Sequence, residues 1–238
     1  MSNIDFENTL LFEFDGELEF ITYCSVFKDQ IGNKQVIWSK GTDYADLFMK
    51  GFELFEQKQY KKAIKTLEKA LDFNPIGLRA RFEIAESYIA LKDYDKAREV
   101  LFAMKEILTT DDLISRFYRR LGFMFVEEEK YEVAYACFVQ SEKYENSVQA
   151  DKEIEYILTK ASINKRKDVE KLLKDNDVPV LAVKGSSSSG AKTKEVHQSE
   201  DNVDRKREDD KKTTKETKPA NTKPEKVIKQ IANQIQNT

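Results

Sequence analysis

Imidazoles, thiolates and paired carboxylates are the groups that most often do chemistry, and this chain sets almost none of them where they can work together. The only histidine, His197, stands in a run of Ser, Lys, Thr, Asp and Glu. Neither a His-based triad nor a zinc site can be assembled around it. Cys24 and Cys137 are far apart, each within an apolar stretch, which reads as two reduced, buried thiols rather than a disulfide. Acids do come in pairs, Glu127–Glu129 and Asp111-Asp112 among them. In a chain that is 35% charged these read as solvated faces and helix caps. No CxxC, GxGxxG, HExxH, phosphate-loop or EF-hand pattern occurs. The expectation is therefore a protein without catalytic residues, metal or cofactor, and not an enzyme. What the sequence does offer is recognition: Phe48, Phe52 and Phe55 fall at i, i+4 and i+7, on one helical face.

That face needs a scaffold. Leu47, Gly51 and Leu54 occupy a different face of the same helix, and a helix apolar on two faces must bury both. The segments YKKAIKTLEKALDFNP, YDKAREVLFAMKEILT and YEVAYACFVQSEKYEN open on Tyr60, Tyr94 and Tyr131. Gly51, Ala85 and Gly122 lie nine residues before those tyrosines, and Ala63, Ala97 and Ala134 three after. Small residues at both places let two helices approach closely, near the lower end of roughly 8–10 Å. Large apolar residues fill in around them: Leu67, Ile84, Tyr88, Leu101, Tyr118, Leu121, Phe125 and Phe138. Asn74-Pro75 reads as the end of one unit and the start of the next, with Pro at the first helical position. The spacing from Tyr60 to Tyr94 suits a repeat of helix pairs; the longer step to Tyr131 is absorbed by extra loop residues near Thr109–Asp112.

Taken together these units resemble the tetratricopeptide repeat family, over three repeats at 43–76, 77–110 and 111–146. Lys50, Arg81 and Met104 depart from the family's usual residue types. The resemblance implies a concave groove lined by the first helix of each unit, where a partner peptide sits. Carried onto this chain, the groove positions are Phe48, Phe52, Phe55, Arg79, Phe82, Glu86, Ile89, Arg116, Arg119, Phe123 and Val126. The arginines would supply charge to the partner. Family members that clamp the terminal carboxylate of heat-shock chaperones use Lys and Asn where this chain has Phe48 and Phe52, so that activity is not implied.

Around this core the composition changes. Residues 1–42 read as an N-terminal β or mixed cap. Leu10–Glu13 and Glu17–Thr22 suggest a hairpin turning at Phe14-Asp15-Gly16, with a third strand at Gln35–Ser39. Residues 147–176 read as capping helices, with Ile154, Ile157, Leu158 and Ala161 on one face. Residues 184–238 read as a disordered tail with a GSSSSG linker, and Val227, Ile228, Ile231 and Ile235 in it sit at helical spacing. That tail carries 13 Lys plus Arg against nine Asp plus Glu, leaving the rest at −7. An acidic body argues against nucleic-acid binding by the folded part. No long apolar run or leader is visible, so a cytoplasmic protein is expected. The overall expectation is a mainly α protein, a non-catalytic adaptor holding another protein's segment. A chaperone of the type III secretion kind and a self-associating structural protein are the alternatives, and oligomeric state is left open.

Overall fold

In the computed structural model, residues 6–161 and 168–181 are described; His197 and the tail lie outside them. Two short strands, β1 (Thr9–Phe12) and β2 (Gln35–Trp38), flank the helices α1 (Glu17–Val26) and α2 (Lys28–Ile31). The strands pair in parallel, Leu10 opposite Val36 and Leu11 opposite Ile37. A parallel pair needs a crossover rather than a tight turn, and α1 and α2 supply it. The expected hairpin is thus corrected: Glu17–Thr22 is helical, and Gly16 is extended, with φ of −177°, rather than left-handed. The physical reason lies in the aromatic residues. Phe20, Tyr23 and Phe27 recur at helical spacing, which lets Phe20 and Tyr23 each reach Phe14, with ring centroids 5.6 Å apart in both pairs. Leu18, on the apolar face in the hairpin reading, is about half exposed instead.

Six helices follow in pairs: α3 (Asp43–Glu56) with α4 (Tyr60–Leu71), α5 (Leu78–Ala90) with α6 (Tyr94–Ala103), α7 (Asp111–Glu127) with α8 (Tyr131–Glu142). The small residues do what their positions imply. A methyl group added at Gly51 would lie 2.5 Å from Leu67, and one at Gly122 would lie 2.8 Å from the Phe138 ring. Ala63, Ala85, Ala97 and Ala134 are fully buried. Each pair turns through three residues whose middle one has a positive φ: Lys58 at 58°, Lys92 at 59°, Glu129 at 59°. The turns share a bonding pattern. The Gln59, Asp93 and Lys130 amides reach back to the carbonyls of Leu54, Tyr88 and Phe125. This is the left-handed helix end that glycine makes most easily. Replacing Lys58, Lys92 or Glu129 by Gly is therefore expected to stabilise the protein by up to about 1 kcal/mol each. Urea unfolding of the three single variants checks it, and a loss of stability in all three would contradict the strain argument.

Between α4 and α5 the chain makes a turn, with the Gly77 amide donating to the Asn74 carbonyl at 3.0 Å. Pro75 lies in that turn, three residues before α5 begins, and not at its first helical position. Arg81, at a place the family fills with an apolar residue, donates Nη2 to the Pro75 carbonyl at 2.6 Å. The same turn receives the N-terminal unit. Asn74 Nδ2 donates to Glu19 at 2.7 Å, and the Glu13 amide donates to the Phe73 carbonyl at 2.8 Å. Glu13 also accepts from the Tyr44 amide at 2.7 Å, so its carboxylate caps α3, whose own Thr42 makes no side-chain cap.

At the other end, α9 (Val148–Ala161) packs Ile157 fully buried against the stack, and α10 (Val169–Asp175) rests on α8. Beyond α10, Tyr118 donates its hydroxyl to the Pro179 carbonyl at 2.9 Å and accepts from the Leu181 amide at 2.8 Å. Tyr144 donates to the Leu181 carbonyl at 2.6 Å. Cys137 is buried as expected, whereas Cys24 is partly exposed; both thiols are free. Among the described residues no helix is long and apolar enough to cross a membrane.

Candidate functional site

The first helices α3, α5 and α7 lie side by side, and one face of each carries residues at recurring offsets before the repeat tyrosine. Fifteen residues before stand Ala45, Arg79 and Arg116; twelve before, Phe48, Phe82 and Arg119. Eight before stand Phe52, Glu86 and Phe123; five before, Phe55, Ile89 and Val126. Offsets stepping by three and four keep one stripe on a helix. The structure thus gathers the expected groove residues into one row.

The row is not uniformly open. Phe48 is 6% exposed and Phe82 fully buried, while Ile89 belongs to the same continuous core as Phe82. Arginines from the next repeat cover the two rings: the Arg79 guanidinium lies 4.1 Å from the centre of Phe48, and that of Arg116 4.5 Å from Phe82. A guanidinium on an aromatic face gains electrostatically from the ring quadrupole and shields the ring from water. Phe48 and Phe82, both expected in the groove, are therefore buried rings with a polar lid. Phe52, Phe55, Phe123 and Val126 remain half-buried, and Met49 beside them is about half exposed.

The expected cationic character is also altered, because acids neutralise these arginines. Arg79 pairs with Asp15 at 3.8 Å and Arg116 with Glu83 at 3.7 Å. Arg119 pairs with Glu145 at 3.4 Å, and Glu86 with Arg120 at 2.8 Å. Sequence reading missed Glu83, Arg120, Asp15 and Glu145, since their partners lie on other elements. The usable signal was the repeat register, which puts Arg79 and Arg116 at one offset and Phe48 and Phe82 at another.

Glu83 is the most enclosed of these acids. Burial pushes its carboxyl above the ordinary value of 4.5, with Arg120 and Arg116 pulling the other way. A carboxyl raised on folding favours the folded state when protonated. That contribution is complete below 4.5 and is lost as pH rises through the folded pKa. Stability of Glu83→Gln should accordingly vary less than wild type between pH 4.5 and neutrality, measured by denaturant midpoints. An equal or steeper dependence would overturn the burial argument.

Among the described residues no group of three or more His, Cys, Asp and Glu is placed to hold a metal ion. Residues 54–121 match the family model for the tetratricopeptide repeat. A stretch of 97 residues is 29% identical to the Hsp70-Hsp90 organising protein of Plasmodium falciparum (isolate 3D7), covering 39% of this chain and 17% of that protein. The chain thus spans about a sixth of that relative's length. The Sgt2 TPR domain from Aspergillus fumigatus superposes with a TM-score of 0.44 at 19% identity, covering 63% of this chain and 93% of that one. The family-model match falls on the paired helices, and residues 54–121 are tetratricopeptide repeat in type.

Proposed function

We propose that this protein is a non-catalytic cytoplasmic adaptor that holds an apolar segment of another protein along the row of α3, α5 and α7. The observation that carries this reading is the set of half-buried Phe52, Phe55, Phe123 and Val126 at matching repeat positions. Their rings and methyl groups sit on a surface where adjacent arginines and acids are already paired. Binding there gains mainly from apolar burial, with the ion pairs forming a polar rim. The similarity to the Hsp70-Hsp90 organising protein supports a protein partner. A carboxylate clamp is not part of the proposal: Phe48 and Phe52 stand in the places of its Lys and Asn, and Phe48 lies under Arg79.

The test uses the double variant Phe52→Asp, Phe123→Asp in affinity capture beside wild type. Both positions are partly solvent-facing, so the variant is expected to keep its circular dichroism spectrum and a cooperative melt. Retained partners are expected to fall at least about tenfold, the loss of roughly 1.4 kcal/mol or more from two anchors. Unchanged capture by the folded variant would remove the row as the binding surface.

A further inference from the structure

Arg79 and Arg116 share one repeat position and one kind of seat, an aromatic face together with a carboxylate. Arg79 meets Phe48 and Asp15; Arg116 meets Phe82 and Glu83. In the first repeat the same position is Ala45, and no preceding repeat offers a ring. The N-terminal unit stands there instead. Ala45 borders a cavity of about 400 Å³ whose walls include Phe14, Trp38, Tyr44, Glu13 and Asp15, with no arginine among its lining residues. Rings and carboxylates are again together, and the repeat position that carries a guanidinium in the other two units carries none here.

The electrostatics of the cavity favour a cation. Burial raises the carboxyls of both Glu13 and Asp15. Glu13 is committed to the α3 amides, whereas Asp15 has its ion pair with Arg79 only at 3.8 Å. Tyr44 is 2% exposed, with its hydroxyl toward the Asp15 carboxylate. Trp38 is 42% exposed, stacked on Phe20 and within reach of solvent. A planar guanidinium carries five donors and stacks on aromatic faces, a match that a compact, strongly hydrated ammonium makes less well. Lys40 borders the same cavity and presents only such an ammonium.

We propose that this cavity receives the guanidinium of an arginine in a bound partner segment, reproducing between two chains the seat that Arg79 and Arg116 fill within one. The proposal rests on the protein-binding reading only for the source of the arginine. Trp38 is the chain's only tryptophan, so its fluorescence reports on this cavity alone. The full chain is titrated with the blocked tripeptide acetyl-Gly-Arg-Gly-amide, with its citrulline analogue and with free L-arginine. A saturable Trp38 response to the arginine peptide is expected, with the neutral citrulline peptide at least about tenfold weaker. Asp15→Asn should weaken the response, and Ala45→Arg, at an exposed position, should abolish it by filling the seat from within. A flat Trp38 signal, equal binding of citrulline, or a wild-type response in folded Ala45→Arg would overturn the proposal. Free arginine binding more tightly than the blocked peptide would overturn the partner as its source. The Phe52→Asp, Phe123→Asp variant keeps the two readings apart: it should lose partners yet titrate Trp38 normally. Failure of the titration leaves the row standing, and unchanged capture leaves the seat standing.

Discussion

Phe82→Asp is expected to abolish cooperative unfolding rather than to remove a partner. The ring is fully buried and continuous with a core that includes Leu101, Phe117, Leu121 and Phe125. Truncating a buried Phe to Ala costs about 3–5 kcal/mol. Asp adds the cost of burying a charge, beside Glu83, which burial already disfavours as an anion. Arg116 would also lose the ring on which it lies. Against a typical total of roughly 5–15 kcal/mol, a loss above about 4 kcal/mol leaves little folded protein at room temperature. Thermal melting followed by circular dichroism reads it directly. A transition within a few degrees of wild type would place Phe82 on the surface after all. The contrast with Phe52→Asp is the useful part, since Phe82 and Phe52 stand on one stripe, twelve and eight residues before their tyrosines, yet differ in burial.

The second large effect is expected at Gly122→Val. The α7–α8 crossing is so close that even a methyl group at Gly122 meets three atoms of the Phe138 ring at 2.8–2.9 Å. Phe138 is itself fully buried, so it has no free space to retreat into. Valine adds two further carbons, and overpacking of this kind costs about 3 kcal/mol. Urea denaturation should show a markedly lower midpoint with an unchanged slope. Gly16→Ala is the matched control: Gly16 is extended and nothing lies within 4 Å of an added methyl. Its change should stay within about 0.5 kcal/mol. A Gly122→Val protein as stable as that control would refute the close helix crossing.

The repeat helices were legible because their signal is local and redundant. Tyr60, Tyr94 and Tyr131 open α4, α6 and α8, and the small residues at nine before and three after each mark a crossing that chain geometry alone demands. The N-terminal unit was misread because two periods coexist in it. Leu18, Phe20 and Thr22 alternate, while Phe20, Tyr23 and Phe27 recur at helical spacing. Only the contact of Phe20 and Tyr23 with Phe14 decides between them. The row of site residues was found by position, but its burial was not. Whether Phe48 faces a partner or a lid depends on Arg79, which is 31 residues away, and on Asp15, which holds Arg79 from another element. No window of sequence contains all three. The expected disordered tail and its apolar motif at Val227–Ile235 lie outside the described residues.

The stacked phenols of Tyr118 and Tyr144, 5.8 Å apart, hydrogen-bond main-chain atoms of Pro179 and Leu181. Burial pushes the Tyr118 hydroxyl pKa up, which keeps its proton in place for donation across the whole physiological range. Those bonds read peptide groups and not side chains, so they place no demand on Val180, which is 39% exposed. The segment after α10 is therefore held by residues of the third repeat, well upstream of it.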